Sequence, residues 1–148
     1  MRQTADVPVL RDRSDLRGRP ALAALLAAAS LLTAACGGEA ETVTAAGVRV
    51  LVGERTSEGM AALLTGRLAD VGGCLGIEPD EVGDAMAVVW PHGTEVVDDA
   101  PLTIEVPDEG RYAIGDTVSL AGGTVAGDEV GGLPLPPECS GEQTWLSH

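Results

Sequence analysis

The 148-residue chain contains no lysine, no asparagine and no phenylalanine, and its only aromatic side chains are Trp90, Tyr112 and Trp145. Each shortage closes something off. Every basic side chain is an arginine, and the nine arginines face twenty-three Asp and Glu for a formal net charge of −14. Nucleic acid and anionic headgroups are held by clustered Lys and Arg, which this balance does not supply. The pairs Gly72-Gly73, Gly122-Gly123 and Gly131-Gly132 lack the strand-to-helix setting and the lysine of a phosphate-cradling loop, and read as turns. With three aromatics, the core has to be assembled from Val, Leu, Ile, Ala and Met. Lys, Asn and Phe also share AT-rich codons, so their joint absence reads as translation from a GC-rich genome.

Catalytic and metal motifs are scarce as well. Four serines follow position 40 (Ser57, Ser119, Ser140, Ser147), and none sits in a G-x-S-x-G elbow. Histidine occurs twice, at His92 in a Pro91-His92-Gly93 turn and at His148. His92 is the one candidate acid/base, and without an identifiable partner it reads as an exposed turn residue. No CxxC or HxxxH spacing marks a zinc site. The run Asp80-Glu81-Val82-Gly83-Asp84 fails the EF-hand register, and Asp98-Asp99 reads as a polar loop. No cofactor is expected.

Residues 21–35 form the single long uncharged run, and its fifteen residues fall short of the roughly 20 that span a bilayer. Five arginines against three aspartates precede it in residues 1–19, the order of a secretory signal. The run ends in Leu32-Thr33-Ala34-Ala35-Cys36 and is followed by Gly37-Gly38. This stretch resembles the lipobox of bacterial lipoproteins, with Thr33 standing where leucine is usual. The resemblance implies removal of residues 1–35, lipidation of Cys36, and a chain held to the extracellular face of the cell membrane by acyl chains. Soluble secretion and an uncleaved anchor are the competing readings. Together with the GC-rich composition, the lipobox points to an actinobacterial envelope. From Cys36 onward, four arginines stand against twenty acidic residues, a net charge of −16.

Once Cys36 is assigned to lipid, Cys74 and Cys139 remain as an even pair in an oxidising compartment, which favours a disulfide over free thiols or a metal. Residues 36–46 are small, polar and aperiodic and are expected to form a tether, leaving 47–148 as one domain. Gly and Pro divide that domain into short β-branched runs. Strands are expected at 48–52, 60–71, 74–77, 85–90, 102–106 and 117–120, with 127–137 a loop and 143–146 a closing edge strand. Residues 60–71 also fit a helical face. Five or six such strands suit a mainly β, OB-like barrel, with a compact sandwich as the alternative. Trp90 is expected in the core or on the disulfide, and Trp145 is a candidate ligand contact.

Gly73-Cys74-Leu75, Val88-Val89-Trp90-Pro91 with Gly93-Thr94, Ile114-Gly115-Asp116, and Cys139 before Trp145 together resemble a small-domain pattern of actinobacterial lipoproteins. That resemblance implies a secreted β-domain with a Cys–Cys bridge and transfers no catalytic residue. The expectation is therefore a non-enzymatic surface domain that binds or presents, with an envelope protein, a glycan or a cation as partner. The alternative is a small envelope hydrolase or cation-binding module using His92 and the acidic loops.

Overall fold

Alternation of apolar and polar residues sets the architecture. The computed structural model describes residues 38–148 apart from Glu58 and Glu81, so the leader and Cys36 lie outside the described residues. Twelve strands follow one another: β1 (Glu41–Ala45), β2 (Val48–Val52), β3 (Ala62–Val71), β4 (Cys74–Pro79), β5 (Met86–Trp90), β6 (Glu95–Asp99), β7 (Leu102–Val106), β8 (Gly110–Ala113), β9 (Thr117–Val125), β10 (Glu129–Val130), β11 (Leu133–Pro134) and β12 (Thr144–Ser147). The protein is mainly β, as its short β-branched runs between Gly and Pro predict, and the ambiguous stretch at 60–71 is strand over Ala62–Val71.

Seven strands form one sheet in the order β1-β2-β4-β3-β9-β12-β5, and β5 also pairs with β2 and β4. The hydrogen-bonded ladder thereby returns on itself. Tight hairpins supply the antiparallel links β1–β2 and β3–β4, while β9 pairs antiparallel with the distant β3 and with β12. Gly72 and Gly73, with φ of 66° and 90°, form the two-residue connection between β3 and β4, where Val71 faces Cys74. Positive φ at both central positions is the requirement of the primed hairpin turns, and glycine meets it without strain. The Gly73 amide also donates to Asp70 Oδ1 at 2.6 Å. The links β2–β5 and β5–β12 are parallel.

Both faces of β5 are covered. Val88 and Trp90 join Val48, Val50 and Val52 of β2, Leu75 and Ile77 of β4, and Leu102, Ile104 and Val106 of β7 in the main core. The three-stranded sheet β6-β7-β8 thus contributes its apolar face to that core, while Thr103 and Glu105 of β7 point away from it. Ala87 and Val89, on the opposite face of β5, belong to a second cluster with Leu51, Val130, Leu133, Leu135, Cys74 and Cys139. The Cys74–Cys139 disulfide ties the segment carrying β10 and β11 onto that face, with Cα atoms 5.6 Å apart. Beside the bridge, Arg49 forms an ion pair with Glu138.

Several expectations change. Residues 41–45, read as tether, form β1 and pair along their length with β2. Their turn, Ala46-Gly47 (φ 50° and 81°), places an alanine in the left-handed region and so carries no Asn-Gly signature. Asp98 and Asp99 lie in β6 rather than in a loop. The Gly/Pro stretch at 127–137 contains the β10–β11 ribbon. Finally, β12 is not an edge: it lies between β9 and β5, which buries Thr144, Trp145 and Ser147.

Gly76 of β4 lies at one of the close approaches in this ladder. A Cβ there would meet the Met86 carbonyl oxygen and lie 3.0 Å from Ala87 Cα, both backbone atoms of the paired strand β5. Gly76→Ala is expected to destabilise the domain by about 1–3 kcal/mol, the range of overpacking substitutions. Urea unfolding checks this: the midpoint should fall with the slope unchanged.

Candidate functional site

Parallel strands that neighbour one another end on the same side, so the residues that follow them are brought together however far apart they lie in the chain. Leu51 and Val52 of β2 pair with Val89 and Trp90 of β5, and Trp145 and Leu146 of β12 pair with Val88 and Val89. The three segments leaving these strands, beginning at Gly53, Pro91 and His148, therefore meet. The Gly53 amide donates to the Trp90 carbonyl at 2.9 Å and fixes the start of the first. The Thr94 amide and hydroxyl both donate to the Pro91 carbonyl, at 3.1 and 2.8 Å. That closes a turn running from Pro91 to Thr94, with Gly93 at φ 88°.

With the β7–β8 turn at Pro107, Asp108 and Glu109, these segments enclose a cleft of about 550 Å³. Glu54, Arg55, His92 and His148 also line it. A second cavity of about 390 Å³ adjoins it, sharing Glu54, Thr56 and His148 and adding Gly59, Met60, Gly131 and Leu146. Close contacts define the walls. A Cβ on Gly59 would run into the His148 imidazole, and one on Gly132 would lie 2.9 Å from the Glu54 carboxyl carbon.

His92 is half-buried, and its Nδ1 is screened from solvent with no hydrogen-bond partner among the described residues. It lines a concavity beside carboxylates, whereas its sequence setting suggested an isolated exposed turn residue. Yet neither histidine is hydrogen-bonded to a carboxylate of the described residues. The Ser147 hydroxyl, adjacent in the chain to His148, is buried and donates to the Ala121 carbonyl at 2.9 Å. That hydroxyl supports the ladder between β12 and β9 and is not poised as a nucleophile. Among the described residues no three His, Cys, Asp or Glu are placed to hold a metal ion. The carboxylates are spread around the cleft rather than converging.

Desolvation raises the Glu109 carboxyl above the ordinary carboxylate range. Burial disfavours its charged form, so its contribution to stability is greatest at acidic pH and is lost as pH rises through the folded-state value. Much of the side chain remains in solvent, which keeps the effect modest. Glu109→Gln is expected to melt slightly higher than the parent at pH 7, with the difference vanishing towards pH 3. Thermal melts across that range check the sign.

Trp145, the candidate ligand contact, is 5 % exposed and packs in the main core. It is not available to stack on a glycan or peptide, because β12 is paired on both sides. Glu54, Asp108 and Glu109 escaped sequence reasoning: in a chain with twenty-three acids, nothing marks three of them until parallel pairing gathers them. Compared with protein-family models, curated proteins and solved structures, the chain finds no match.

Proposed function

We propose that this chain is a lipid-anchored lipoprotein of the cell envelope whose β-domain, on the extracellular face of the membrane, binds a ligand without chemical turnover. The observation that carries the binding role is the cleft where the ends of three parallel strands meet, lined by two histidines and three carboxylates. A concavity lined by a few polar groups is the usual setting of a small-ligand site. Among the described residues the cleft holds no histidine–carboxylate or serine–histidine hydrogen bond of the kind that activates a nucleophile, and the role proposed is accordingly binding. For the anchor, the support is the lipobox-like Leu32-Thr33-Ala34-Ala35-Cys36 and the pairing of both other cysteines, which suits an oxidising compartment and leaves Cys36 as the thiol for lipid.

Two acyl chains give stable membrane attachment where one gives only marginal binding. Cys36→Ala is accordingly expected to abolish incorporation of labelled fatty acid and to release nearly all of the protein from the membrane fraction. An unmodified Cys36 thiol in the mass spectrum of the native protein would overturn the anchor.

One observation favours the alternative of a small envelope hydrolase: His92 does line a concavity beside carboxylates. Hydrolysis of any ester or glycoside that disappears in His92→Ala would establish it.

A further inference from the structure

The two adjoining cavities differ in character. The larger is lined by Glu54, Asp108 and Glu109 against the single guanidinium of Arg55. The smaller ends on Met60, which is 36 % exposed, and half-buried Leu146. Resting on the binding role proposed above, we infer that the joined groove takes a small organic ammonium ligand, its charged head among these carboxylates and its aliphatic body along Met60 and Leu146.

Three features select this class. Carboxylates in excess over cations favour a positive head, and the net charge of −16 from Cys36 onward raises the local concentration of cations around the whole domain. Among the described residues the acids do not gather closely enough to hold a bare metal ion, but a spread of single acceptors matches the three donors of an ammonium group. The apolar end would leave a hydrated inorganic cation without a partner, whereas a short alkyl chain gains by covering it. Glu109, whose carboxyl is partly desolvated, recovers a favourable environment for its charge when a cation sits beside it.

The test titrates the isotope-labelled full chain with hexylammonium, hexanoate and hexan-1-ol and follows backbone amide shifts. Hexylammonium is expected to saturate and to move Glu54, Gly59, Gly131 and His148, with hexanoate at least tenfold weaker. Glu54 and Glu109 are exposed and their carboxylates make no described hydrogen bond or ion pair, so Glu54→Gln and Glu109→Gln keep the fold. Each should weaken hexylammonium by about tenfold, the loss expected for one charge-assisted hydrogen bond. If hexanol or hexanoate binds the groove as tightly, or both glutamine variants bind hexylammonium like the parent, the ammonium assignment fails while the groove stands as a binding site. If none of the three probes moves these residues, the binding role of the cleft falls with it.

Discussion

Cys139→Ser is expected to lower the stability of the domain by roughly 4 kcal/mol, the loop-closure estimate for a bridge across sixty-five positions. The structure gives that loss a location. Cys139 is buried with Leu51, Val89, Val130 and Leu133, so the bridge holds the β10–β11 segment against the outer face of β2 and β5. Without it, that cover is retained by apolar contacts, by the exposed Arg49–Glu138 pair and by a few backbone bonds such as Glu54 N–H to the Gly131 carbonyl. An ion pair at the surface contributes at most about 1 kcal/mol. Residues 127–143 should therefore become the first site of proteolytic cleavage and lose amide protection ahead of β3 and β9. Reduction of the parent protein should reproduce both changes. A variant whose protease sensitivity spreads evenly over the domain would show that the bridge acts on the unfolded chain alone.

Trp90→Ala should have an effect of similar size, about 3–5 kcal/mol, for a different reason. Trp90 is fully buried at the end of a strand that is paired with β2, β4 and β12 and packed on both faces. Truncation removes one of the two tryptophans of the main core and leaves a void that three hydrogen-bonded neighbours cannot collapse into. Against a typical domain stability of about 5–15 kcal/mol, this is a large share of the whole. The indole nitrogen has no acceptor among the described residues, so Trp90→Phe loses packing volume without a hydrogen bond and should cost about half as much. Chemical denaturation of the three proteins distinguishes the cases: equal losses for Phe and Ala would mean that the indole nitrogen, not its volume, matters.

Much of the fold is legible where local chemistry decides it. Alternation in Leu102–Val106 predicts a half-buried strand, and its burial follows that alternation. The unbroken apolar run before Pro91 predicts burial on both faces, and two separate cores divide it. The bridge between Cys74 and Cys139, favoured in the sequence over free thiols or a metal, is formed. What escaped is what local chemistry leaves open. β1 turns back through Ala46-Gly47, which has no strong turn signature. β6 is an acidic strand whose only apolar residues are Val96 and Val97. The placement of β12 at the chain's end suggested an edge, and with it an accessible Trp145.

From its sequence alone, this protein is fixed as a β-rich chain with a core of aliphatic side chains, a strongly acidic surface and an even pair of cysteines in its domain, because composition, period-two alternation and turn residues act over a few positions. The tertiary structure alone decided that β2, β5 and β12 run parallel and side by side. Parallel pairing joins segments with no short-range code between them, and it is this pairing that buries Trp145 and gathers Glu54, His92, Glu109 and His148 around one cleft.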